Sequence, residues 1–104
     1  MTTANLRKDD VAIADFCRRW QIKELAVFGS AVRGDLRPDS DIDLLATFAP
    51  EARWTLFDHY QMENELVRMF AREVDLVSIR ALEENPNPVY RDEILRSARV
   101  LYAA

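Results

Sequence analysis

The chain has only two glycines, and both fall in the six-residue stretch Gly29-Ser30-Ala31-Val32-Arg33-Gly34. That stretch follows the apolar run Leu25-Ala26-Val27-Phe28 and precedes Pro38-Asp39-Ser40-Asp41-Ile42-Asp43-Leu44-Leu45. A chain so sparing with glycine that spends both in one place needs unusual backbone there. The Asp-x-Asp that follows lies within an apolar run, where charge is costly unless it is paired or bound to a cation. Phosphate handling and metal binding are therefore the first chemistries to weigh.

The glycine stretch anchors the reading of secondary structure on both sides. Upstream, Val11, Ile13, Ala14, Phe16, Cys17 and Trp20 fit one broad face of a helix from about Asp9 to Trp20, with Asp9 or Asp10 as cap. Leu25–Phe28 reads as a short buried strand ending at a glycine. Ser30–Gly34 turns into a short helix, Asp35–Ser40 is a polar loop, and Ile42–Phe48 is a second strand closed by Pro50. A helix from about Arg53 to Ala71 follows from the spacing of Leu56, Phe57, Tyr60, Leu66, Val67 and Phe70. Glu73–Ser78 is a third strand, Ala81–Asn85 a turn, and Val89–Tyr102 a last helix. The order α-β-α-β-α-β-α predicts an α/β domain with a small mixed sheet flanked by helices.

Length and composition bound the remaining possibilities. Residues 1–104 make one domain, large enough for a core. With 14 basic and 18 acidic residues the net charge is −4, so direct nucleic-acid binding is not expected. The single cysteine, Cys17, fits a reducing cytoplasm. No apolar run approaches the roughly 20 residues that span a bilayer, and Met1–Asp10 lacks the apolar core of a signal peptide.

The candidate chemistry rests on three carboxylates. Residues i and i+2 of a strand point the same way, so Asp41 and Asp43 share one side while Ile42 and Leu44 pack the other. Two carboxylates that close repel unless a cation lies between them. Mg²⁺ takes such hard oxygen ligands, commonly together with substrate phosphate oxygens. Asp75, flanked by Val74, Leu76 and Val77, adds a third acid if its strand lies beside the second. Three acids suit a two-metal phosphoryl or nucleotidyl transfer site. Alone, Asp41 and Asp43 equally suit a solvated turn after Pro38. Gly29 lets backbone amides approach a phosphate, Ser30 offers a hydroxyl and Arg33 a cation, although a lone Gly-Ser is most simply a strand-to-helix turn.

Together, Gly29-Ser30, Asp41-x-Asp43 and Asp75 resemble the signature of the DNA polymerase β-like nucleotidyltransferase superfamily: Gly-Ser, a spacer, Asp-x-Asp and a later carboxylate. The fuller string Gly-Ser-x-x-Arg-Gly-x5-Ser-Asp-Ile-Asp-Leu, from Gly29 to Leu44, is similar to the minimal nucleotidyltransferase (MNT) family. That family is the small antitoxin-like half of paired HEPN–MNT operons. The resemblance spans roughly Leu25 to Tyr102.

It implies a polymerase β-like nucleotidyltransferase fold, with Gly29 and Ser30 at the triphosphate, and Asp41, Asp43 and Asp75 as catalytic metal ligands for two Mg²⁺ ions. The implied reaction is transfer of a nucleoside monophosphate, AMP from ATP, to a hydroxyl of a HEPN ribonuclease toxin. Family members often carry arginine directly after Gly-Ser, where this chain has Ala31; Arg33 is retained. The alternatives are an antitoxin that neutralises by binding alone, and a nucleotidyltransferase acting on a small molecule such as an aminoglycoside. Larger relatives carry an added helical domain, so a partner subunit would complete the pocket here, in a homo- or hetero-oligomer.

The remaining distinctive residues have plainer readings. His59 lacks a second histidine or cysteine nearby and reads as solvated or partner-facing. Cys17 reads as a small core residue. Trp20, Trp54, Phe57, Tyr60 and Phe70 read as core or interface rather than a stacking platform; Trp54, among polar neighbours beside Arg53, would suit an anchor for a partner if exposed. Arg91, Asp92, Glu93, Arg96 and Arg99 read as the solvated face of the last helix.

Overall fold

The computed structural model describes residues 10–34 and 41–104. Within them run α1 (Asp10–Arg19), β1 (Ile22–Phe28), α2 (Ser30–Arg33), β2 (Ile42–Phe48), α3 (Leu56–Phe70), β3 (Val74–Ser78), α4 (Ile79–Glu83), α5 (Pro88–Ser97) and β4 (Arg99–Ala103). Asp9 and the loop Asp35–Ser40 lie outside the described residues. The four strands form one mixed sheet in the order β3-β2-β1-β4. β1 is antiparallel to β2 and to β4, whereas β2 and β3 are parallel, joined by the α3 crossover.

The alternation of each strand divides the core into two layers. Leu25 and Val27 of β1, Ile42, Leu44 and Ala46 of β2, Val74 and Leu76 of β3 and Leu101 of β4 face one side. There they meet Ile13, Phe16 and Cys17 of α1 and Met62 and Leu66 of α3. Ala26, Phe28 and Leu45 face the other side, under Leu82 of α4 and Ile94 of α5. Burial drives the Cys17 thiol pKa up to about 12, well above its ordinary range. The folded state thus favours the neutral thiol, and Cys17 contributes a constant amount to stability below about pH 9. That contribution is lost as pH rises from there toward 12. Cys17 is therefore expected to resist thiol-specific labelling in the native chain at pH 8 and to react fully once urea unfolds it.

Local signals set most boundaries. Thr55 opens α3 with a capping box: its hydroxyl accepts from the Asp58 N–H at 3.1 Å, and the Asp58 carboxylate accepts from the Thr55 N–H at 2.9 Å. α3 thus starts at Leu56 rather than Arg53. Asn87 caps α5, accepting from the Val89 N–H at 3.0 Å, with Pro88 in the first helical position. Ser78 accepts from the Ala81 N–H at 3.1 Å and turns the end of β3 into α4, where the sequence suggested only a turn.

The largest departure from expectation is at the C-terminus. The predicted helix to Tyr102 ends at Ser97, and Ala98 takes an extended conformation (φ −61°, ψ 142°) that launches β4. The strand pairs with the open edge of β1 and buries Leu101, a long-range gain that local periodicity does not report. β1 also begins earlier than expected, because exposed Lys23 and Glu24 interrupt its apolar run.

Four apolar side chains that set the helical spacing lie outside the core. Val11 of α1 and Leu56, Phe57 and Tyr60 of α3 are mostly exposed, the last three at 84, 66 and 62%. Trp54 packs edge-on against Trp20 beside the core, with ring centroids 5.2 Å apart, and is half-buried, in keeping with its core reading and not with a fully exposed anchor. Positive φ is not confined to glycine either, since Gln21 and Ala71 adopt 57° and 56°. Ala71 closes α3 in this left-handed state, so Ala71→Gly is expected to raise unfolding free energy by about 0.5–1 kcal/mol, read from urea denaturation.

Candidate functional site

The site begins where β1 stops. Phe28 pairs with Asp43 across the β1–β2 ladder, and the next residue, Gly29, turns the chain at φ +75°. The Gly29 carbonyl accepts from the Val32 N–H at 3.1 Å, closing the turn into α2. A side chain at Gly29 would strike the Asp43 carboxylate, which lies against its Cα. Glycine is thus required here twice, by conformation and by the close approach of Asp43. Gly34 also has positive φ, +83°, but a Cβ there would meet open space. Ser30 and Arg33 open and close α2; their side chains lie outside the described part.

β2 carries the carboxylates. Ile42 and Leu44 are fully buried on the helix-covered face, which turns Asp43 to the other face, where it is half-buried. Asp41 stands exposed just before the strand. The Ile42 N–H donates to the Glu73 carbonyl at 2.9 Å, fixing the start of β2 against β3. In that register Asp43 lies directly beside Asp75. The third acid is thus brought next to the second, as adjacency of the two strands required.

Asp75 is exposed, not embedded in a buried strand as its neighbours suggested. β3 is the sheet edge: Val74 and Leu76 are buried on one side, while on the Asp75 side Val77 is only half-buried, against the second layer of the core. The outer N–H of Leu76 is taken by the Glu63 carboxylate at 2.9 Å, which closes an otherwise open edge. His59 lies 3.6 Å from that same carboxylate, on the adjacent turn of α3.

A cleft of about 270 Å³ opens over Asp43 and Asp75, with Asp41 not among its lining residues. Phe28, Gly29, Asp43 and Asp75 line it from the sheet, and Tyr90, Glu93, Ile94 and Ser97 line it from α5. These α5 residues were not singled out as site residues by the sequence; Glu93 read as part of a solvated face. The available signal was their spacing of three, four and seven, which puts one apolar and three polar side chains on one helix face. Ile94, buried under the sheet, orients that face toward Asp43. A second pocket, of about 190 Å³, is lined by Trp54, His59, Met62 and Arg80 among others and contains none of the three acids.

The donor set suits Mg²⁺: hard carboxylate oxygens at one strand end, with a glycine that yields space to one of them. Among the described residues no group of three or more acid, histidine or cysteine side chains is so placed that it could hold a metal ion. No helix among the described residues is long and apolar enough to cross a membrane.

Comparison with known proteins agrees with this geometry. The nucleotidyltransferase domain family model matches residues 10–101. Protein adenylyltransferase MntA of Thermococcus cleftensis is 37% identical over 65 residues, a match covering 62% of this chain and 64% of that relative. The solved structure of a provisionally assigned minimal nucleotidyltransferase is 35% identical, with TM-score 0.72 and 95% of each chain covered. The fold also matches an MNT antitoxin structure from Shewanella oneidensis, in complex with a tri-AMPylated HEPN toxin. That match has TM-score 0.65 at 17% identity and covers 95% of this chain and 73% of the other. The four-stranded mixed sheet, the Gly29 turn under Asp43 and the family match converge: this chain belongs to the nucleotidyltransferase domain family, among its minimal members.

Proposed function

We propose that this protein is a Mg²⁺-dependent nucleotidyltransferase that moves AMP from ATP onto a hydroxyl of a HEPN toxin and acts as its antitoxin in the cytoplasm. The observation that carries the reading is the in-register pair Asp43–Asp75, set beside a glycine turn that has no room for a side chain. Asp41 and Asp43 would hold two Mg²⁺ ions, and Asp75 would hold one of them. Bound there, Mg²⁺ would neutralise triphosphate charge and acidify the attacking hydroxyl.

The chain's own groups do the rest. The Gly29 backbone, turned at positive φ, and the Ser30 hydroxyl grip the triphosphate, with Arg33 adding positive charge. Asp75, exposed at the cleft, helps take the proton from the acceptor. The named activity of the Thermococcus relative, and the AMPylated HEPN toxin bound by the Shewanella antitoxin, support this choice of donor and acceptor.

The test is to incubate the protein with labelled ATP, Mg²⁺ and the HEPN protein encoded beside it. Label is expected on a tyrosine of the HEPN protein. It should vanish, along with neutralisation of the toxin, in Asp41→Asn and Asp43→Asn. If label never transfers and both variants still neutralise, the protein is a binding antitoxin and the catalytic reading fails.

A further inference from the structure

We propose that Tyr90 is a self-adenylylation site: in the presence of ATP and Mg²⁺ the chain transfers AMP to its own phenol. This inference rests on the transferase reading above. Tyr90 lines the same cleft as Asp43 and Asp75, so a hydroxyl of the acceptor class is already part of the site. It stands in the first turn of α5, 44% exposed, and its hydroxyl has no hydrogen-bond partner among the described residues. The cleft holds a second hydroxyl, Ser97, but that one donates to the Ile94 carbonyl at 3.3 Å. A phenol is also a stronger acid than an aliphatic hydroxyl such as that of serine. Both differences favour Tyr90.

One turn along the same face, Glu93 supplies a carboxylate that has no ion pair among the described residues. Lining the same cleft, it would receive the phenol proton once the two side chains meet over the bound nucleotide. The step balances as follows: the Tyr90 Oη attacks the α-phosphorus of ATP, and an Oη–P bond forms. The bond from that phosphorus to the oxygen bridging to the β-phosphate breaks, and pyrophosphate leaves with the electron pair. The Oη proton passes to Glu93, and the product is a tyrosyl-AMP phosphodiester. Being tethered to the site, Tyr90 needs no encounter with a partner, an advantage that intramolecular reactions turn into high effective concentration. The adduct would occupy the cleft and hold the transferase in check until it is removed.

The test is intact-protein mass spectrometry of the full chain incubated with ATP and Mg²⁺, alone and with the HEPN protein, followed by peptide mapping. One AMP adduct per chain is expected on Tyr90, absent in Tyr90→Phe and Asp43→Asn and formed at least tenfold more slowly in Glu93→Gln. Circular dichroism melts establish that each variant is folded. A HEPN protein that gains label while this chain gains none overturns self-transfer and leaves the transferase reading standing. Label on neither protein overturns both. An adduct on Ser97 or on another tyrosine overturns the assignment to Tyr90, and an unchanged rate in Glu93→Gln overturns the role of Glu93.

A readout independent of turnover comes from nitration by tetranitromethane with α,β-methylene ATP and Mg²⁺, in which the bond to be broken is inert. Tyr90 should be shielded by the analogue while Tyr60, exposed on α3 and outside the cleft, is nitrated as before. Equal nitration of Tyr90 with and without the analogue overturns the proposal.

Discussion

Asp43→Asn is expected to lower AMP transfer at least about a thousandfold, about 4 kcal/mol of transition-state stabilisation, measured with labelled ATP at saturating Mg²⁺. Asparagine keeps the volume and shape of the side chain, so the pairing of β2 with Phe28 of β1 and Asp75 of β3 is undisturbed. What is lost is the negative charge that a divalent cation would meet. Asp43 is the centre of the proposed site: it is the acid with the glycine turn on one side and a second carboxylate on the other. Substitutions at Asp41 and Asp75 should act in the same direction. The melting temperature of Asp43→Asn should stay within a few degrees of the parent. A large drop there would place the effect in folding rather than in the chemistry.

Gly29→Ala is the second large effect, and here stability and activity should fall together. A non-glycine residue at φ +75° costs about 1–2 kcal/mol. The added methyl must also displace the Asp43 carboxylate, which lies where the methyl would go. Misplacing a reacting group by about 1 Å costs on the order of a hundredfold in rate, and that is the minimum loss expected in the transfer assay. Gly34→Ala is the matched control. It pays the same conformational cost at φ +83° but meets nothing within 4 Å, so it should lose about 1–2 kcal/mol of stability with no comparable loss of transfer. Equal loss of activity in both variants would mean that the glycines serve the turn alone and that the contact with Asp43 is incidental.

These predictions concern residues that local sequence could already point to. Gly29 follows an apolar run that ends in a turn, and that order is a statement about neighbours in the chain. Asp41 and Asp43 alternate with Ile42 and Leu44, a period of two that specifies which side chains share a face once the segment is a strand. The helical spacing of Ile13, Phe16 and Cys17 is equally local, and so is the Asn-Pro start of α5. For such features the deciding interactions lie within a few residues, and a linear reading captures them.

What the chain order could not carry was set by partners distant in sequence. Arg99–Ala103 is a strand because β1 offers an open edge and Leu101 finds the core there; as an isolated segment it continues a helix pattern as readily. Asp75 is exposed near the start of β3, the edge strand, a property of sheet order and not of the flanking valines. Leu56, Phe57 and Tyr60 fit a helical spacing yet point outward, because only Met62 and Leu66 of α3 reach full burial against the sheet. Tyr90 and Glu93 entered the cleft by the same kind of cause. Burial of Ile94 between α5 and the sheet rotates that helix until its polar stripe faces Asp43. Chain-local chemistry thus sufficed to nominate the acids and the glycine that admits one of them. Their neighbours across the cleft depended on packing between elements some fifty residues apart, where side-chain burial rather than local propensity decides the orientation.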